Sequence, residues 1–327
     1  MPPRWRLPLL LLGFISLAFG VAGGLARLTP LPVSINALAL HGPLMVSAFF
    51  GTVISLERAA ALDRLWAYAA PFCAGAGGLL LLSGFHQEGF GLMVLGAAVL
   101  AIASIVVFTK QRSLEMGTLL AGAVAWLAGN LAIFLGVPAV PWWIAFFALT
   151  IGGERLELSR YLRRGAGVRA SFMVLAAALL FAPLEPRLLG AALLLLALWL
   201  FAFDLARITV RQARLPRYVA VCLLAGYFWL AVGGALIALS VAYDAALHAI
   251  FVGFVFSMVF GHAPVILPAV LRTALPYHSV LYLPLVLLHA SLAVRVALST
   301  QIGAWGNAAA IAAFIVTAAA LALARRF

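Results

Sequence analysis

Charge is what this sequence has least of. Only 9% of its 327 residues are Asp, Glu, Lys or Arg, where a soluble domain carries about 25%. That shortage excludes a water-soluble globule. Acid is the scarcer part, nine Asp and Glu against 21 Lys and Arg. Cysteine is nearly absent: Cys73 and Cys222 both lie in apolar runs, read as buried small residues, and say nothing about a redox compartment. No credible strand is present, so no dinucleotide or Walker-type glycine motif has its required setting. The net charge of +12 does not mark a nucleic-acid binder either. The basic residues sit in short gaps between apolar runs, where positive charge orients helices in a bilayer.

What the chain does have is long apolar runs. A span needs about 20 residues, and such runs fall near 7–26, 36–56, 66–84, 89–109, 115–135, 139–159, 169–184, 188–208, 218–239, 245–271, 280–298 and 304–324. The first follows Arg4 and Arg6 and ends in VAGGLA, like a secretory signal, but it is longer than a signal core and reads as a first helix. With the N-terminus inside, all but Arg27, Arg187 and Arg295 of the 21 basic residues fall on the inner side. The expectation is an all-α polytopic membrane protein: about twelve transmembrane helices, both termini cytoplasmic, in the inner membrane of a bacterium. The loops near 57–65, 160–169 and 208–217 are short and basic. They leave residues 1–327 as a single transmembrane domain. The pattern I-x-x-E-R, at Ile54–Arg58 and Ile151–Arg155, closes the second and sixth runs and suggests three groups of four helices. Its Glu and Arg read as anchors and local ion pairs.

Six histidines are present. His86 and His278 fall in loops. His41, His248, His262 and His289 lie inside apolar runs, where an unsatisfied ring nitrogen is costly and marks a candidate functional site. Neutral imidazole is the common protein ligand of haem iron, copper and zinc. Fourteen residues separate His248 from His262, about 21 Å along an α-helix, so they cannot share one metal ion. Depth along the helices predicts an outer level with His41 and His248 and a middle level with His262 and His289. Met45 follows His41 by four residues and Met258 precedes His262 by four, one helix face in each case. His/Met pairs suit copper or haem iron; packing is the alternative for both methionines. Arg27 and Arg295, on the disfavoured side, are candidates to pair with haem propionates, the alternative being interfacial snorkelling.

HGPLM, from His41, resembles the H-G-x-x-M segment of haem–copper oxidase main subunits, whose histidine ligates a low-spin haem. FGHAPVILPAV, from Phe260, is similar to their F-G-H-P-E-V-Y segment, with Pro264 and Val265 in place of the glutamate and tyrosine. The oxidases' tandem His-His is missing, so no complete oxygen-reducing centre is expected. A closer resemblance is to the NnrS family of twelve-helix haem- and copper-containing bacterial membrane proteins linked to nitric oxide stress. Its late-helix pattern is matched by His248, Ala249, Gly253, Met258, Gly261 and His262, and its early H-x-H-E-M motif is reduced to HGPLM. The resemblance implies b-type haem held by His41 and His248, with copper as a further metal. It implies a small gaseous or redox ligand and an electron donor such as a quinol or a cytochrome. A haem-dependent oxidoreductase acting on nitric oxide is one form of that reading. Two other classes stay open: a secondary transporter of a small neutral solute, on the strength of Asp204 and the prolines Pro264 and Pro268, and a structural membrane subunit without cofactor.

Overall fold

The structure, a computed structural model, describes residues 5–159, 165–272 and 275–324. Arg4, Arg160, Arg163, Arg164, Arg325 and Arg326, counted above on the inner side, lie outside the described residues. Leucine- and alanine-rich runs are strong helix formers, and the described residues form helices joined by short turns, with no strand among them. The long helices are α1 (Arg6–Ala26), α2 (His41–Leu62), α3 (Leu65–Leu82), α4 (His86–Lys110), α5 (Leu114–Phe134), α6 (Val140–Leu158), α7 (Ala166–Leu184), α8 (Pro186–Phe203), α9 (Arg214–Ala238), α10 (Tyr243–Val270), α11 (Ser279–Ala297) and α12 (Thr300–Ala324).

Eleven of these are long and apolar enough to cross a membrane. The exception is α6, whose last turns carry Glu154, Arg155 and Glu157. That helix is also the most thoroughly enclosed, buried at every residue from Trp143 to Gly153. A helix apolar on all sides needs cover on all sides, and its charges need partners. The many apolar helices are compatible with a multi-pass membrane protein.

Local sequence sets the helix ends. Ser113 Oγ accepts the Met116 N–H at the start of α5, and Glu185 does the same for Leu188 in α8, with Pro186 in the first turn. Gly84 and Gly136 adopt positive φ (90° and 75°) just after α3 and α5. The run expected near 36–56 differs from its helix. A separate short helix, Ile35–Ala39, precedes α2, and α2 runs on to Leu62, where Asp63 (φ 50°) ends it in a left-handed turn.

The chain divides into two compact units, Met1–Phe146 and Phe147–Phe327, with the division inside α6. In the first unit α1 packs on α2 and α3, α3 on α4, and α4 on α5. In the second α7 packs on α8, α8 on α9, α9 on α10, and α11 on α12. Small residues allow the closest of these approaches. A Cβ on Gly190 would meet the Gly234 carbonyl at 2.6 Å, and one on Gly234 the Gly190 carbonyl at 2.9 Å, so α8 and α9 touch backbone to backbone.

Two helices depart from α geometry, and they are the two that carry the motifs. In α2 the turn His41–Pro43 opens into a π-helix over Leu44–Phe50 before α geometry resumes at Gly51. In α10 the turn Tyr243–His248 opens into a π-helix over Ala249–Phe256. The α-helical part that follows runs through both Pro264 and Pro268 to Leu271.

Candidate functional site

His41 starts α2, and its orientation comes from α1. Its Nδ1 donates to the Gly20 carbonyl at 2.6 Å; a carbonyl can only accept, so the proton is on Nδ1. The ring lies on Gly24, where a Cβ would fall 2.7 Å from Cε1 and 2.8 Å from Nδ1. Met45 turns its sulfur to Gly20, 2.8 Å from where a Cβ would be. Glycines 20 and 24 of α1 thus form a shelf for the side chains four residues apart on α2. Arg27 tightens the same corner. It donates to the carbonyls of Leu38 and Ala39 at 2.9 and 3.0 Å, satisfying the end of the short helix that leads into His41.

His248 is oriented by its own helix. Nδ1 donates to the Asp244 carbonyl at 2.8 Å and lies 3.3 Å from Asp244 Oδ1. Asp244 Oδ2 accepts from Arg295 at 3.1 Å. The result is an Arg–Asp–His chain that backs the imidazole with a carboxylate, the arrangement that orients metal-ligating histidines. Arg295 therefore holds a protein carboxylate.

His262 and His289, expected at one level, are turned to different partners. His289 accepts from Trp229 Nε1 on its Nδ1 at 3.0 Å, so its proton is on Nε2. That Nε2–H lies 3.3 Å from Ser257 Oγ, which donates to the Cys222 carbonyl at 2.7 Å. Both ring nitrogens are used. His262 donates from Nδ1 to the Met258 carbonyl at 2.8 Å, and its buried Nε2 makes no hydrogen bond among the described residues. It lies within electrostatic reach of Glu154, Arg155 and Asp204. Met258 packs toward Gly226 of α9. The two histidines expected in loops are exposed, but His86 is the first residue of α4 and bonds Asn36 at 3.1 Å, while His278 lies before α11 and accepts the Val280 N–H at 3.1 Å.

Three polar assemblies were not anticipated. Asn130, fully buried, accepts on Oδ1 from Ser47 (2.5 Å) and Trp143 Nε1 (3.1 Å) and donates to the Met93 carbonyl (3.1 Å). Arg155 and Asp204 form a buried bidentate pair at 3.0 and 3.1 Å, with the Tyr227 phenol within electrostatic reach. The pairing of Arg155 is thus not local, as the I-x-x-E-R pattern suggested, but reaches the residue just beyond the end of α8. The third assembly is the Asp244 carboxylate behind His248, whose signal was its i−4 spacing. Asn130 was marked by standing alone in an apolar run. No local signal joins Arg155 to Asp204.

Among the described residues no three His, Cys, Asp or Glu side chains gather to hold a metal ion. Comparison with curated proteins and with solved structures finds no match. Residues 6–323 match the family described as Domain of unknown function (DUF8744), and the chain belongs to that family.

Proposed function

We propose that this chain is a haem-binding, multi-pass protein of the bacterial inner membrane, with α1 to α12 as twelve spans and both termini cytoplasmic. The charge asymmetry supports the topology, since Arg27, Arg187 and Arg295 are the only basic residues on its outer side. A recurrence supports three groups of four helices. Gly20 of α1 packs on Met45 of α2, Gly129 of α5 on Trp143 of α6, and Gly226 of α9 on Met258 of α10.

One observation carries the cofactor. His41 and His248 each commit Nδ1–H to a main-chain carbonyl, which puts the lone pair on Nε2, the nitrogen that ligates iron when Nδ1 is held this way. Each also stands at the mouth of a π-helix, a distortion frequent at functional sites. His289 uses its two nitrogens on Trp229 and Ser257; the buried Nε2 of His262, without a hydrogen bond among the described residues, is a donor for a second metal such as copper. Bound iron would supply reversible uptake of a small gas or of an electron, which leads to handling of nitric oxide or oxygen, with a quinol or cytochrome as donor.

The test is the absorption spectrum of the detergent-purified chain. A Soret band is expected, altered or removed by His41→Ala and by His248→Ala and retained in His86→Ala. No Soret band with no copper on metal analysis overturns the reading. A second reading, transport of a small solute, is favoured by the buried Arg155–Asp204 pair, since buried ionisable groups in a membrane protein mark solute and proton paths. It predicts uptake into vesicles that Asp204→Asn abolishes without changing the spectrum.

A further inference from the structure

The start of α9 faces an open surface cavity of about 290 Å³, lined by Ala213, Arg214, Arg217, Val221, Tyr277 and Tyr282. It belongs to none of the histidine assemblies. Both arginines are exposed, and neither pairs with a carboxylate among the described residues. Two guanidiniums three residues apart, with no carboxylate beside them among the described residues, make a locally positive surface that attracts an anion. The tyrosines add phenolic donors, and their rings are fixed. Buried Tyr218 meets Tyr282 edge-on at 5.1 Å and Tyr277 at 6.3 Å.

The backbone contributes in the same sense. α9 is a helix of 25 residues whose first turn holds no acid and whose preceding Ala213 offers no side-chain cap. Its first N–H groups lack a side-chain acceptor, and the helix dipole is positive there. Arg214 takes a left-handed φ of 59°, a conformation a side chain of its kind seldom adopts.

We propose that this cavity binds a phosphate group through Arg214, Arg217 and the phenols of Tyr277 and Tyr282. Two arginine forks and two hydroxyls match the several oxygens of a phosphate better than the two of a carboxylate. The group belongs to an anionic phospholipid headgroup or to a free phosphate or phosphate monoester.

The experiment uses the full chain in detergent, read by native mass spectrometry and by thermal unfolding. Phosphatidylglycerol, phosphatidylcholine and inorganic phosphate are added separately. Phosphatidylglycerol is expected to bind and to raise the melting temperature more than phosphatidylcholine. The double variant Arg214→Gln/Arg217→Gln, eluting like the parent, should bind it at least about tenfold more weakly, the loss of one to two charge-assisted hydrogen bonds. Tyr277→Phe/Tyr282→Phe should fall between. Competition by millimolar inorganic phosphate assigns the site to free phosphate compounds; its absence assigns it to lipid. Equal binding of the two lipids by the parent chain together with no phosphate effect, or unchanged binding in a double variant that folds, overturns the proposal. The comparison of ligands on the parent chain stands even where a variant does not fold.

Discussion

Helices α2 and α10 are built to the same plan and held in different ways. Each places a histidine ahead of a π-helix and uses a serine to engage a polar side chain that also holds a tryptophan. In α2 Ser47 meets Asn130, which accepts from Trp143. In α10 Ser257 meets His289, which accepts from Trp229. An amide does in one unit what an imidazole does in the other. This argues that His289 is a structural hub, since its role needs one acceptor facing an indole and a second polar atom facing a hydroxyl. The opening histidines differ in the reverse sense. His41 is oriented by a neighbouring helix, through the Gly20 carbonyl and the surface of Gly24. His248 is oriented by the preceding turn of its own helix, through Asp244. The first arrangement depends on packing and the second is local.

Breaking the amide hub should have the largest effect. Asn130→Leu strands Ser47, Trp143 and the Met93 carbonyl, and should lower the stability in detergent by about 3 kcal/mol, read by thermal unfolding. A change below about 1 kcal/mol would show that the hub is dispensable. Next is Gly24→Ala, whose methyl group collides with the His41 ring. It should cost about 2 kcal/mol and alter the haem spectrum as His41→Ala does. His289→Asn tests the equivalence of the two hubs: an amide there should retain the spectrum and cost about 1 kcal/mol, whereas a loss of haem would restore His289 as a ligand. The smallest effect belongs to Asp244→Asn. Asp244 is 63% exposed, so losing its charge should change stability by about 0.5 kcal/mol or less. His248 keeps its main-chain bond, and the spectrum should shift without vanishing.

The helices were legible because apolar length and flanking charge decide them. Eleven of the twelve expected runs became helices long and apolar enough to cross a membrane, and the remaining run is α6. The π-helices were not legible, because a slip from i→i+4 to i→i+5 bonding has no compositional mark in a run such as Ala249–Phe256. That slip bears on depths read along the helix: the separation of His248 and His262 was taken from α geometry, and eight of the intervening residues are wound more widely. Height along a helix fixes the level of a side chain but not its direction, so the different partners of His262 and His289 could not be read from the level expected for both. The candidate ligands themselves were visible as histidines in apolar runs. Their tautomers depend on partners such as Gly20, 21 residues away, and no sequence rule pairs those.

The Arg155–Asp204 pair also sets a schedule for synthesis. The two residues are 49 positions apart, and at a rate of about 5–20 residues per second the arginine precedes its carboxylate by roughly 2–10 s. Through that interval α6 carries a guanidinium with no Asp204 to meet it, which disfavours its settling among apolar neighbours. Completion of α8 ends the wait, so α6 takes its final seat only after the two helices that follow it have emerged from the ribosome.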